Sequence, residues 1–280
     1  PGVHRKERKM NFIYAICAAA AIFFAFRFSW IIGIIVSLLV VIYAIYAYIP
    51  TLWAVKAQKA FADGDFKAAK RFYRKSVNTN RAKAQIRINY AYVLMRTGDF
   101  DEAEKILDPI VRAKYAKKQN LSLSAKQQRC MVYYKQGRLD EAMEDAMELF
   151  NSGYKNTQLY GMIGYFKLER GDNLNDVTAF CEEAYDYNSD DRDIMDNLSI
   201  CYYKQGKYDK AAELSDKILE DAPKFVEAYY HGAQIALKRG EYEKAAELMS
   251  NIDDCRWSKM TTVSREDVDR LNREIERYMR

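Results

Sequence analysis

Six glycines, Gly64, Gly98, Gly137, Gly171, Gly206 and Gly240, punctuate the chain at intervals of 34, 39, 34, 35 and 34 residues. A recurrence near 34 residues marks one supersecondary unit copied along a solenoid, because each copy can bury its apolar face only against its neighbours. It predicts stacked helix pairs that present an extended surface for holding another protein.

Each glycine sits in a similar sentence, such as RTGDFDEAEKILDPIV at 96–111 and KQGKYDKAAELSDKIL at 204–219. Helical apolar spacing precedes it, as at Tyr90, Ala91, Leu94 and Met95, and a second helical pattern follows. A glycine at this point ends the first helix, where a left-handed residue costs least. Two residues on stands an apolar side chain: Phe66, Phe100, Leu139, Leu174, Tyr208 or Tyr242. Five residues on stands a small one, Ala69, Ala103, Ala142, Ala211 or Ala245, which lets two antiparallel helices approach closely. The fourth copy fits this register if one residue is inserted after Gly171, which brings Val177 to the alanine position. The longer 39-residue interval predicts an extended loop or helix within the polar stretch 114–125.

This arrangement resembles the tetratricopeptide repeat. The matching positions are a small residue seven before each glycine (Ala57, Ala91, Cys130, Gly164, Ser199 and Ala233), the glycine, the following aromatic or leucine, and the alanine. Trp53 sits where the family often carries tryptophan, and Pro223 follows a second helix. Six units fit, at about 50–83, 84–117, 123–156, 157–191, 192–225 and 226–252. The resemblance implies an all-α fold, a right-handed solenoid of helix pairs whose concave face grips peptides or protein segments. After a linker within 253–280, Val268, Leu271, Ile275, Tyr278 and Met279 share a helix face. Ser264 with Asp267 forms a capping box, and Val263 with Val268 a hydrophobic staple. This helix is expected to cover the last repeat.

The first fifty residues have another character. A basic start at 1–10 precedes an apolar run at 11–26; after Arg27, a second run at 28–49 carries no charge. At about 1.5 Å per residue, 22 residues reach about 33 Å, enough for a hydrocarbon core of about 30 Å, whereas the first run reaches about 24 Å. A cleaved signal peptide suits the basic start and the alanines at 18–21, but the apolar stretch resumes beyond Arg27. A buried core helix suits a chargeless run poorly. The reading is an N-terminal transmembrane hairpin with its tip at Phe26, Arg27, Phe28 and Ser29. Basic residues flank both outer ends and the tip holds Arg27 alone, which predicts an integral protein of the cell membrane with its repeats in the cytoplasm. Five cysteines without a framework pattern agree with a reducing compartment.

Charge is divided along the chain. Residues 50–120 hold 16 Lys or Arg against 7 Asp or Glu, and residues 121–280 hold 23 against 31. Lys56, Lys59, Lys67, Lys70, Arg71, Arg74 and Lys75 form a basic patch suited to an anionic inner leaflet, at about 1 kcal/mol per group near the surface. A solvated face without a role is the plain alternative. No arginine-rich tract or stacking module points to nucleic acid.

In the family, the second, fifth, sixth and ninth positions of each first helix line the groove. Carried onto this chain they include Gln58, Gln85, Asn89, Tyr92, Gln127, Gln128, Met131, Met162, Tyr165, Asp193, Asn197, Tyr230, His231 and Gln234. Amides can bond an extended peptide, and tyrosine and methionine supply adaptable apolar contact. Met131, Met162 and Tyr165 can equally fill space between helices. The family's basic clamp for chaperone tails is matched at Asn89 alone, the other positions being Ala54, Gln58, Ser124 and Gln128. His4 and His231 lie far apart, and no phosphate-binding loop is present. The chain is therefore read as a protein- or peptide-binding scaffold, not an enzyme, with no cofactor, metal, nucleic acid or small-molecule substrate. A structural subunit working through its hairpin and convex surface is the alternative, and an open trough is expected.

Overall fold

A computed structural model of the chain describes residues 2–113 and 119–280, and every regular element among the described residues is helical. The chain divides into two compact units, residues 1–86 and 87–280.

In the first unit, α1 (Gly2–Phe28) and α2 (Trp30–Ala62) are separated by Ser29 alone, whose extended backbone interrupts the helix. The two helices pack against one another, and the Phe26 ring sits over Gly33, where no other residue would leave it room. The turn is thus one residue, Ser29, and not the four expected. The α2 helix is long and apolar enough to cross a membrane, with a mean hydropathy of 2.6 in its most apolar window. Phe23, Phe24, Leu38, Leu39, Ile42 and Tyr43 are each more than half exposed.

The apolar run is read as ending at residue 49 and the first repeat as starting at about residue 50. Instead α2 runs unbroken through Pro50 into the first helix of the first repeat. Proline removes the N–H that would bond the carbonyl four residues earlier, which here belongs to Tyr46. The Arg81 guanidinium donates to that orphaned carbonyl and lies 3.4 Å from the centre of the Tyr46 ring. Ser76 donates to the Pro50 carbonyl at 2.6 Å. Both groups come from around α3 (Phe66–Val77) and its following turn, so packing within this unit repairs the defect that would otherwise end the helix.

The second unit continues α4 (Ala84–Thr97) and adds the pairs α4/α5 (Phe100–Arg112), α6 (Gln119–Lys135)/α7 (Leu139–Asn151), α8 (Thr157–Arg170)/α9 (Leu174–Tyr187), α10 (Arg192–Lys204)/α11 (Tyr208–Leu219) and α12 (Val226–Lys238)/α13 (Tyr242–Ser250). Residues 114–118, within the stretch expected to hold the extra length, lie outside the described residues. The same turn closes every first helix. After α4, the Asp99 N–H bonds the Leu94 carbonyl at 2.9 Å and the Gly98 N–H bonds that of Met95 at 3.1 Å, with Gly98 at φ +83°. This double bond satisfies carbonyls the helix end leaves free and requires the left-handed residue. Equivalent bonds run from Asp65, Arg138, Asp172, Lys207 and Glu241.

The alanine positions are fully closed: Ala69, Ala103, Ala142, Ala211 and Ala245 have no exposed surface, and Val177 fills the same place in α9. The first helices α8, α10 and α12 also touch each other directly, so they form one continuous row. Gly161 and Gly164 allow this. A Cβ at Gly161 would come within 3.3 Å of Asp193, and one at Gly164 within 3.2 Å of both Asn197 and Cys181.

The last helix, α14 (Arg265–Met279), starts at the expected capping box of Ser264 and Asp267. It buries Val268, Leu271 and Ile275 in one cluster with Val263, Tyr229, Ala233 and Met249, covering the end of α12 and α13.

Candidate functional site

The row of first helices in the second unit lines a trough. Met131 of α6, Met162 and Tyr165 of α8, Asp193 and Asn197 of α10 and His231 of α12 all line one cavity of about 530 Å³. Tyr165 and His231, with Tyr230 and Gln234, also line a neighbouring cavity of about 440 Å³. Eight of the fourteen expected groove residues therefore come together. Asn197 also holds two helices, donating to the Gly161 carbonyl at 2.8 Å. Gln127 is buried and bonds Asn156 and Gln158, while half-buried Gln128 lines neither cavity. Asn89 and Tyr92 on α4 also lie outside both cavities. Gln58 and Gln85 belong to the first unit, where both are exposed.

The expected trough is open; the one observed is crossed by the chain itself. After η1 (Asn251–Asp254), residues 256–263 run as a strap over the first helices before α14 begins. The Arg256 N–H bonds the Lys224 carbonyl at 2.9 Å. Lys259 lies against Gly98, where an added Cβ would come within 2.9 Å of its Cγ. The Lys135 ammonium donates to the Thr261 carbonyl at 3.1 Å. The Thr262 N–H and hydroxyl both donate to one oxygen of Glu227, at 2.7 and 3.1 Å. The two cavities lie to either side of Thr262, and Met260, Thr261 and Thr262 wall the larger one.

The larger cavity carries both signs of charge, with Arg96, Lys224 and Arg256 in its wall opposite three carboxylates. Asp193, Asp196 and Glu227 face the larger cavity. Asp193 is open to solvent yet recessed; burial first, then the charges of Asp191, Asp196 and Glu227, push its carboxyl up to about 6. No cation pairs with it among the described residues. Asp196 holds His231, whose Nδ1 lies 2.9 Å from both carboxylate oxygens. Burial alone would lower the His231 pKa; Asp196, with Glu227 and Glu169, more than offsets it and the net shift is upward. Burial pushes the Lys135 ammonium down, against the pull of Glu227 and Glu169.

These two shifts have the same sign in their effect on stability. A histidine raised above its usual pKa of about 6.5 stabilises the fold fully below that value, and the contribution fades as pH rises through the raised one. An aspartate raised above about 3.9 likewise loses stability as pH climbs toward 6. The unfolding midpoint of the chain is expected to fall between pH 6 and pH 8, and the His231→Gln variant to show a flatter profile. Equal pH profiles for the two would contradict this assignment.

Asp196 and Glu227 were missed in the sequence, although the signal was there. Asp196 stands three residues after Asp193, and Glu227 three before Tyr230, which places each on the same helix face. Lys135, Arg256 and Thr262 carry no such periodic signal.

The basic patch lies on the tail of α2 and on α3 in the first unit. Lys56 and Lys75 stand 5.0 and 4.7 Å from the Trp53 ring centre, Trp53 stacks on Phe72 at 5.8 Å, and Arg71 lies over Phe72 at 5.1 Å. Lys59, Lys67 and Arg74 are exposed, and Lys70 is half-buried.

A family model of the tetratricopeptide repeat matches residues 60–126, 172–231 and 203–255, together more than half of the chain. No curated protein matches. Among solved structures, a tetratricopeptide repeat protein from Parabacteroides merdae is 13% identical, with a TM-score of 0.51 over 81% of this chain and 98% of its own. The APC/C hetero-tetramer Cut9–Hcn1 is 14% identical, with a TM-score of 0.65 over 81% of this chain and 42% of its own. PilW, a type IV pilus biogenesis factor, is 18% identical, with a TM-score of 0.55 over 70% and 86%. At such identities the likeness is one of fold. Repeat spacing, turn geometry and family match agree: the chain belongs to the tetratricopeptide repeat family, whose members generally mediate protein–protein interactions.

Proposed function

We propose that this protein is a membrane-anchored adaptor that captures a non-helical segment of a protein partner in the trough of its repeats. One observation carries the reading: the trough already holds a non-helical segment, its own, in part through main-chain groups that every peptide possesses. Lys135 donates to the main-chain carbonyl of Thr261, and Glu227 accepts from the main-chain N–H of Thr262 as well as from its hydroxyl. The aromatic and methionine side chains beside these groups suit apolar contact without demanding one shape.

The anchor is argued from chemistry. A helix with this hydropathy, 6% buried, leaves its apolar surface without a protein cover, and a bilayer supplies one. Trp53 among Lys56, Lys75 and Arg71 has the composition of an interfacial belt beyond the apolar run. The basic patch favours an anionic inner leaflet and a cytoplasmic trough.

Affinity capture from detergent extracts of the full chain, read by mass spectrometry, tests the proposal. The wild-type chain is expected to retain a partner that the Asp193→Arg/Glu227→Arg variant loses, while Glu182→Ala, at an exposed position of α9 outside both cavities, keeps it. Retention by the trough variant at wild-type levels would sink it.

A further inference from the structure

The strap does more than connect the last repeat to its cap. Its sequence, RWSKMTTV, carries Arg256 and Lys259 and no acidic residue, and it lies on a trough whose cavity faces Asp193, Asp196 and Glu227 as well as Arg96 and Lys224. Of these carboxylates Asp196 already holds His231, Glu227 already holds Thr262, and Asp193 has no cation partner among the described residues. Opposite charge across a contact of this kind sets which segment is accepted. Its fixed points lie at the ends. Trp257 is held under the Arg265 guanidinium at 3.6 Å, and Val263 is buried in the cap cluster. Between them the strap is half-exposed or exposed, and its own turn, Thr261 N–H to the Ser258 carbonyl at 3.2 Å, is local. Few buried apolar contacts and solvent-reachable hydrogen bonds place a segment at the low end of local stability. The unit therefore contains a rigid trough and a loosely held occupant.

We propose that residues 256–263 are an intramolecular stand-in for the partner, and that a non-helical segment of the partner, bearing a lysine or arginine for Asp193, gains the trough by displacing them. The inference rests on the capture reading above and adds to it the charge of the segment captured and the contact that must break first. A tethered occupant competes at an effective concentration in the millimolar range, so only a better ligand replaces it. The strap leaves such a ligand an advantage: Asp193 has no cation opposite it, and a lysine or arginine in the incoming segment supplies one. Release also uncovers Glu227, Lys135 and Tyr165 together, because Thr262 and its neighbours cover all three.

Two measurements on the full chain in detergent test this. In hydrogen–deuterium exchange, the amides of Arg256 and Thr262 are expected to exchange at least about tenfold faster than those in the middle of α12, by local opening. Glu227→Gln should speed the Thr262 amide further and leave α14 unchanged. In the second measurement, residues 256–263 are replaced by a glycine–serine run of equal length, and a labelled RWSKMTTV peptide is added. The replaced chain should bind the peptide at least about tenfold more tightly than the wild type, and Glu227→Gln should remove about tenfold of that, the size of one charged hydrogen bond. The proposal is overturned if strap and α12 amides exchange together, or if the replaced chain, with unchanged helical circular dichroism, takes up the peptide no better than the wild type. Either result leaves partner capture to be judged by the trough variant; a strap that opens and rebinds in trans, with no partner lost on Asp193→Arg/Glu227→Arg, refutes the adaptor reading instead.

Discussion

Replacing Asp145 by alanine is expected to cost about 3 kcal/mol of stability, because it takes from two buried cations the carboxylate they share and leaves Arg129 with Asp108 alone and Lys126 with the exposed Glu148 alone. Arg129 grips Asp145 through Nε at 2.9 Å and a second nitrogen at 2.7 Å, and reaches Asp108 at 2.8 Å. Lys126 lies 3.3 Å from the same Asp145. The side chains of Lys126, Arg129 and Asp145 are 11%, 11% and 12% exposed, so water can screen little of this network. Burial acts to lower the Arg129 pKa, and the bonds to Asp108 and Asp145 outweigh it, which leaves the guanidinium raised and charged. It cannot escape the loss of its partner by neutralising. The network joins α5, α6 and α7, so its failure should loosen two adjacent repeats. Urea unfolding followed by circular dichroism checks this. Arg129→Met/Asp145→Leu should recover part of the loss, since an apolar pair of similar volume removes the desolvation costs of Arg129 and Asp145 while Lys126 still lacks its partner. A midpoint unmoved by Asp145→Ala would show that the ion pairs carry no net weight.

The second large effect is expected at Phe166. Its side chain is fully buried in the cluster of α6, α7 and α8, and its ring centre lies 5.3 Å from that of Tyr134 and 6.3 Å from that of Tyr165. Phe166→Ala should cost about 3–5 kcal/mol, the lost transfer of the ring plus the cavity it leaves. The consequence reaches the trough. Tyr134 and Tyr165 share a hydrogen bond of 2.6 Å between their hydroxyls, and Tyr165 walls both cavities. With Phe166 gone, that wall loses its backing, and the strap amide of Thr262 should lose protection together with the core of α8. Leu139→Ala, at a half-buried position of the same cluster, should cost less. Equal costs would mean that the site collapses around the missing ring.

The repeat was legible because its determinants are local and periodic. A left-handed glycine, an alanine five residues later and an apolar residue between them state the geometry of one turn and one helix crossing, and each copy repeats the statement. The cap was legible for the same reason: Ser264, Asp267 and the apolar face of α14 lie within 16 residues. That α2 passes residue 50 without a break was not legible, because proline is a local stop signal. What overrules it, Ser76 and Arg81, lies 26 and 35 residues away from the carbonyls they satisfy. The trough residues on α8, α10 and α12 came from the groove positions that the family resemblance implies, whereas Asn89 and Tyr92, chosen by the same rule, line neither cavity.

The amino-acid sequence alone determined that this chain folds as stacked helix pairs, where those pairs turn, and how the last is covered. It could do so because helix ends and close crossings depend on residues a few positions apart. Tertiary structure alone decided that the trough is occupied. The bond between Lys135 and Thr261 joins residues 126 positions apart, and that between Glu227 and Thr262 joins residues 35 apart. An irregular strap has no period to read, and its course is set by carbonyls, carboxylates and ammonium groups that meet only once the helices have stacked.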